Sequence, residues 1–310
     1  MRNASALSRL VAPMIAIGIL VGGCGQNPSP RTAGTTGTTG TADAAATGLY
    51  GGTAPVPAGT PGEPMAAGEP MAAGSNGNTR LPQAAAPGSM PAGTVYRNPA
   101  NGRNEVVVED IARTAVLIGD SQSEPAYSWP RAALASLGYT VHFCGLGGTG
   151  FVASNGKTGN YIDALQRGDW LLPYGSPPLV VIEGGGNDAS RGATDQQIST
   201  NAERLIASVR QRYPEAQLAM VGTLARGADD GGGRRTEVDA LLGTVAARHA
   251  IPFVGVGDWL TRYDLTRSMA DGVHMNPEGH AALGVLLARR LDDFGLRSPG
   301  SGPAEPSATR

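Results

Sequence analysis

The chain has 310 residues, with 24 Lys and Arg against 26 Asp and Glu and a formal net charge of −2. That balance leaves no electrostatic footprint for a polyanion such as nucleic acid, and two cysteines, Cys24 and Cys144, make no disulfide framework. The length allows up to two ordinary domains, but the first hundred residues hold 12 of the 23 prolines and 17 of the 46 glycines and are scarce in large apolar side chains, so one folded domain is expected after them.

Residues 1–23 read as an export signal. Arg2 and Arg9 give a positive start, and Leu10 to Val21 is an apolar run too short for a membrane span. The run ends in Val21-Gly22-Gly23-Cys24, which resembles the lipobox of bacterial lipoproteins. In that reading the Cys24 thiol carries a diacylglyceryl group and the protein is lipid-anchored to the cell membrane on its extracytoplasmic face. The alternative is a plain secretory signal with an incidental cysteine.

Residues 24–103 read as a disordered linker rich in Gly, Ala, Pro and Thr. The segment includes a duplicated unit, Gly62-Glu63-Pro64-Met65-Ala66-Ala67 and Gly68-Glu69-Pro70-Met71-Ala72-Ala73. Such a composition buries too little apolar surface to offset backbone entropy. The unit is too short and polar for a solenoid, so a spacer is expected, with a partner-binding repeat as the alternative.

A folded domain is expected over 104–296, followed by a disordered tail at 297–310. Within it, apolar strand-like runs alternate with helical patterns. Ala115-Val116-Leu117-Ile118 is a buried strand, and Pro130 to Leu137 is helical and closed by Gly138. Thr140 to Cys144 is a second strand, and Leu179-Val180-Val181-Ile182 is a third, apolar on both faces. Thr194 to Arg212 carries Ile198, Ala202, Leu205 and Val209 on one helical stripe. Leu218 to Val221 and Phe253 to Val256 are further strands, separated by a helix from Arg235 to Arg248. The last helix starts at Asn276 as cap, with Pro277 and Glu278 in its first turn, and continues through Ala281, Leu283, Val285, Leu286 and Leu291. This alternation predicts an α/β fold with a central parallel sheet of about five strands and helices on both faces. In such sheets ligands bind beyond the carboxyl ends of the strands.

Three short stretches fall on that edge and together supply the parts of acyl transfer to a serine. Ser121 follows the first strand in Gly119-Asp120-Ser121, with its own N–H free to face an oxyanion; alone, this triplet reads better as a capping turn. Asn187, in Gly185-Gly186-Asn187-Asp188, follows the third strand and offers a side-chain amide, although Asn-Asp turns are common. Gly185 and Gly186 are read as slim backbone that lets a substrate approach. Of the four histidines, His142 lies in a strand, His249 closes a helix and His280 lies in the first turns of the last helix. His274 lies in a loop three residues after Asp271, whose carboxylate could fix its tautomer and leave the other nitrogen for Ser121. No His/Cys/Asp/Glu cluster has metal-ligand spacing, so neither a metal nor another cofactor is expected. The loop Gly145-Leu146-Gly147-Gly148-Thr149-Gly150 lacks the Lys-Ser/Thr of a phosphate loop, and a backbone donor from Gly148 suits its edge location better. Trp129, Phe151, Trp170 and Tyr174 are candidates either for an acyl or sugar pocket or for core packing.

In order, these blocks resemble the SGNH/GDSL hydrolase family. Gly119-Asp120-Ser121-Gln122-Ser123 looks like its first block, with Gln where Leu is usual; Gly148 looks like the second, Gly185-Gly186-Asn187-Asp188 the third, and Asp271-Gly272-Val273-His274 with Asn276 to His280 the last. The resemblance covers Thr114 to Leu291. It implies a flavodoxin-like three-layer α/β/α sandwich and ester hydrolysis by Ser121 as nucleophile, His274 as base and Asp271 as its orienter. It also implies an oxyanion hole of the Ser121 amide, the Gly148 amide and Asn187. The expected substrates are ester-bearing small molecules, glycans or lipids, handled by a monomer. An acyltransferase with the same triad, and a non-catalytic glycan-binding lipoprotein, are the alternatives.

Overall fold

The structure, a computed structural model, describes residues 87–302. Cys24, the export signal and the duplicated unit lie outside the described residues. Strands β1 (Val95–Arg97) and β2 (Asn104–Val106) pair as an antiparallel hairpin, and β1 falls inside the segment read as linker. Two three-residue strands show no apolar alternation. What fixes them is Glu105, a buried carboxylate that accepts from Asn98 (3.0 Å), Asn101 (2.8 Å) and the Arg212 guanidinium (2.6 Å).

After a 3₁₀ turn at Ile111–Arg113 come β3 (Thr114–Gly119), α1 (Trp129–Ser136), β4 (Thr140–Gly145), α2 (Tyr161–Arg167), β5 (Leu179–Glu183) and the short α3 (Gly186–Ser190). Then follow α4 (Asp195–Arg212), β6 (Gln217–Val221), α5 (Gly233–Arg248), β7 (Phe253–Val254), α6 (Trp259–Arg262) and α7 (Pro277–Asp293). Strands β3 to β7 form one parallel sheet of five, in the order β4-β3-β5-β6-β7.

Alternate strand residues enter two apolar cores. Val116, Ile118, Val180, Ile182 and Met220 pack with residues of α2, α4 and α5, whereas Ala115, Leu117, Leu179, Val181 and Ala219 pack with residues of α1, α6 and α7. A parallel strand covered on both faces must be apolar at every position, which is why β3 and β5 read as unbroken runs. The layers are therefore three, as expected.

Helix starts follow local chemistry. Thr194 accepts from the Gln197 N–H (3.2 Å) while the Gln197 side chain accepts from the Thr194 N–H (3.0 Å), a complete capping box for α4. Asn276 accepts from the Gly279 N–H (2.8 Å) and Pro277 opens α7. The buried face of α7 is formed by His280, Leu283, Leu287 and Leu291, while Val285 is exposed.

The expected strand at 253–256 stops at Val254. Its Val256 N–H turns instead to the Asp239 carboxylate of α5 (3.0 Å), which also takes the Thr223 N–H after β6 (3.0 Å). Burial pushes the Asp239 carboxyl up to about 6, although these N–H groups and that of Gly257 pull it down. The folded chain thus holds this proton to higher pH than the unfolded one, whose Asp titrates near 4. Its contribution to stability falls as pH rises from about 4 to about 6 and is level above. Urea unfolding across that window is expected to show a shallower decline in Asp239→Asn than in the parent; an equal slope would contradict this assignment.

Candidate functional site

The Ser121 turn is built at the carboxyl end of β3. Gly119 is required there by close approach, because a Cβ would lie 2.6 Å from the Ser123 side chain. Asp120 then folds the chain back: its side chain accepts from the Gln122 N–H (2.9 Å), and its carbonyl accepts from the Ser123 and Glu124 N–H groups (3.0 and 2.9 Å). Ser121 stands at the apex, partly exposed, and its N–H has no protein acceptor among the described residues.

The Ser121 Oγ lies 2.9 Å from His274 Nε2, across 153 positions of sequence. His274 Nδ1 lies 2.9 Å from Asp271 Oδ2, and Asp271 Oδ1 accepts from the Val273 and His274 N–H groups (2.6 and 2.7 Å). Hydrogen bonds from the His274 ring first, then from those two N–H groups, hold the Asp271 carboxyl well below the usual carboxylate range. An ionised Asp271 accepts a hydrogen bond from Nδ1–H and so keeps the ring proton there, which leaves Nε2 to accept from the serine hydroxyl. The other histidines serve elsewhere. His142 Nε2 bonds the Leu171 carbonyl (2.8 Å), and His280 Nδ1 accepts the Trp129 N–H (3.2 Å), tying α7 to the open first turn of α1.

The loop after β4 borders the serine. The Gly147 N–H is taken by the Glu124 carboxylate (2.8 Å), and the Gly147 carbonyl accepts from Asn155 Nδ2 (3.0 Å). That carbonyl and the Gly148 N–H are opposite ends of one planar peptide. Asn155 therefore points the Gly148 N–H away from itself, and this N–H has no protein acceptor among the described residues. Gly148 sits at φ 79°, where a side chain would be strained. Sequence alone left Gly147 and Gly148 nearly equivalent; the structure leaves the second unoccupied.

Asp188 carries this loop. Its fully buried carboxylate accepts three successive N–H groups, from Phe151 (2.9 Å), Val152 (2.7 Å) and Ala153 (2.8 Å). Asn187, at the start of α3, donates its amide to Asp120 Oδ2 (3.0 Å) and to the Thr149 carbonyl (2.9 Å). It is thus at the site with both hydrogens already engaged. Gly185 and Gly186 do not face a substrate approach: a Cβ on the first would strike Thr223 and Val238, and on the second the Arg235 guanidinium. Packing against Thr223 and α5 is what requires them. Beneath the serine lie two buried acids. Glu183 accepts from Ser123 Oγ (2.7 Å), and burial raises both carboxyls, Asp120 to about 6, with Arg235 opposing the rise.

Trp129 and Phe151 belong to the two cores, Trp170 packs beside one of them, and Tyr174 meets Tyr96 edge to face. None of the four lines the cavity of about 200 Å³ that adjoins the His274 loop, whose walls include Leu224, Arg226, Leu260, Met269 and Val273. Glu124 and Asn155 were missed from sequence, since the Gly147 groups they hold are backbone atoms that no spacing encodes; Gln122 was noted only as a departure from the family's Leu, and its ties to the Val273 carbonyl and the Trp129 indole were not foreseeable. Asp188 was adjacent to a noted residue, but its three acceptor bonds were not foreseeable. Among the described residues no cluster of three or more His, Cys, Asp or Glu could hold a metal ion, and no helix is long and apolar enough to cross a membrane.

A family model described as the GDSL-like lipase/acylhydrolase family matches residues 111–282, the stretch that holds the Ser121 turn, the glycine loop and the His274 loop. The chain belongs to that family. Its members are hydrolases of carboxylic esters. The multidomain esterase of Ruminococcus flavefaciens is 25% identical over 157 residues, 49% of this chain and 20% of that protein, so the chain spans about a fifth of this curated relative. Similar solved structures include an active-site mutant of a family two carbohydrate esterase from Clostridium thermocellum, 18% identical, with 63% of this chain and 68% of that one covered at a TM-score of 0.49. Another is the aryl esterase of M. smegmatis, 18% identical, with 58% and 99% covered at a TM-score of 0.44.

Within this GDSL-family domain, Asp188 is expected to be the costliest carboxylate to remove. Asp188→Ala leaves three N–H groups without their acceptor, at about 1–3 kcal/mol for a buried one. A loss on the order of 3 kcal/mol in urea unfolding is expected; a loss below about 1 kcal/mol would contradict the loop-anchor role.

Proposed function

We propose that the chain is a serine esterase that cleaves carboxylic esters through Ser121, His274 and Asp271 by way of an acyl-enzyme. The observation that carries the reading is the unbroken row Ser121 Oγ–His274 Nε2 and His274 Nδ1–Asp271 Oδ2, both at 2.9 Å. Ser121 attacks the ester carbonyl as His274 Nε2 takes its proton, and the Asp271 carboxylate stabilises the imidazolium. The oxyanion meets the free Ser121 and Gly148 N–H groups. Asn187 is the third donor: a charged oxygen is a stronger acceptor than the neutral Thr149 carbonyl, so the amide shifts toward it as charge develops. His274 returns the proton to the leaving alcohol, then takes one from the water that hydrolyses the acyl-enzyme.

For substrate we propose acyl groups on carbohydrates, lipids or cell-wall polymers. Support comes from the cavity beside Val273, in which Leu224, Leu260 and Met269 meet Arg226 and Arg235, a lining suited to a small acyl group next to a polar alcohol. The export signal and the Val21-to-Cys24 motif support a site of action outside the membrane, held by lipid on Cys24.

With p-nitrophenyl esters of increasing chain length, the parent is expected to hydrolyse short acyl groups, and Ser121→Ala to lose on the order of 10⁶-fold in kcat. Full activity in that variant would contradict the scheme. Asn155→Ala frees the Gly147 peptide to rotate and is expected to lower kcat by about tenfold with KM within about twofold, the pattern of an interaction made in the transition state. A change in KM alone would contradict that role.

A further inference from the structure

Gln122 stands where the family pattern has Leu, immediately after the nucleophile, yet it is buried rather than turned to the cleft. Its Nε2 donates to the Val273 carbonyl at 2.8 Å, and its Oε1 accepts from the Trp129 indole N–H at 3.4 Å. An indole nitrogen can only donate and a carbonyl can only accept, so the two partners fix which end of the amide faces which. Trp129 is fully buried in the core under α1, α6 and α7, and the Gln122 backbone N–H is held by Asp120. Gln122 is thus anchored at its backbone and at its Oε1.

Its partner is the opposite case. Asp271 is exposed and His274 half-buried, and the loop between them closes largely on itself, through Asp271 Oδ1 to the Val273 and His274 N–H groups and through the Ala270 N–H to the His274 carbonyl (2.8 Å). Among the described residues two hydrogen bonds join this loop to the turn after β3: His274 to Ser121, and Gln122 to Val273. The first must loosen whenever the proton moves. The second does not take part in the chemistry, and it ends on the peptide that leads directly into His274.

We propose that Gln122 is a positioning residue of the ester hydrolase, a latch that holds the Val273 peptide and through it sets His274 Nε2 at bonding distance from Ser121. The inference rests on the triad reading above. Leu, the residue usual in the family, can fill the space but cannot donate, so this chain adds a polar tie to a loop that is otherwise exposed.

The test compares the parent with Gln122→Leu and with Gln122→Met, which keeps the unbranched length and removes only the polar atoms. Hydrolysis of p-nitrophenyl acetate is measured per active site, titrated by a serine-reactive fluorophosphonate, with thermal unfolding recorded alongside. The expected result is a kcat lower by about tenfold in both variants, with KM within about twofold, because a misplaced base slows chemistry without weakening binding. A kcat per titrated site within about twofold of the parent would overturn the inference, even if the melting temperature falls, since a purely structural residue lowers only the folded fraction. If Gln122→Leu does not fold, Gln122→Met decides. A parent that neither labels nor hydrolyses would overturn the triad reading instead, and the latch with it.

Discussion

The hydrogen bond between Ser121 Oγ and His274 Nε2 is 2.9 Å long and joins residues 153 positions apart. Such a bond tolerates little error, and neither partner lies in a regular element. The fold supplies the accuracy by bringing three strand ends together. In the order β4-β3-β5 the serine strand is central, with the glycine loop arriving from one neighbour and Asn187 from the other. Connections leave β3 and β5 toward helices of opposite layers, which opens a crevice between their carboxyl ends. The histidine comes from outside the sheet, on the loop just before α7. Its place is set by α7 packing on α1 and by the bond between His280 and the Trp129 N–H.

Buried carboxylates do much of the local fixing. Glu105, Asp188 and Asp239 each accept two or three hydrogen bonds and staple segments that have no ladder of their own: the hairpin, the glycine loop, and the ends of β6 and β7. Burying an acid is unfavourable unless such donors surround it, and the raised carboxyls of Asp120 and Asp239 record that cost. Asp271 is the contrast. It is exposed and bonded by two N–H groups and the His274 ring, so it stays ionised, which is what an orienting carboxylate needs.

What could be read from sequence divides along the range of the interaction involved. Apolar runs in β3 and β5, the buried stripe of α4 and the Asn-Pro start of α7 are local, and each stands where the pattern put it. His274 was singled out by exclusion, because the other three histidines had ordinary settings. The hairpin escaped because three-residue strands held by one carboxylate leave no periodicity. Gly185 and Gly186 were assigned to substrate approach, whereas α5 and Thr223 after β6 crowd them from behind; that crowding comes from residues 223–242, which no local motif reveals. The same holds for Glu124 and Gln122, whose backbone partners at Gly147 and Val273 lie 23 and 151 positions away, and for Asn155, which holds the Gly147 carbonyl.

The central claim is that Ser121 becomes acylated. The most direct measurement is mass spectrometry of the protein quenched in acid during turnover of p-nitrophenyl acetate. The account predicts a single acetyl adduct on the peptide from Thr114 to Arg131, located at Ser121 and absent from Ser121→Ala. Turnover with no covalent adduct, or an adduct on a residue other than Ser121, would contradict it.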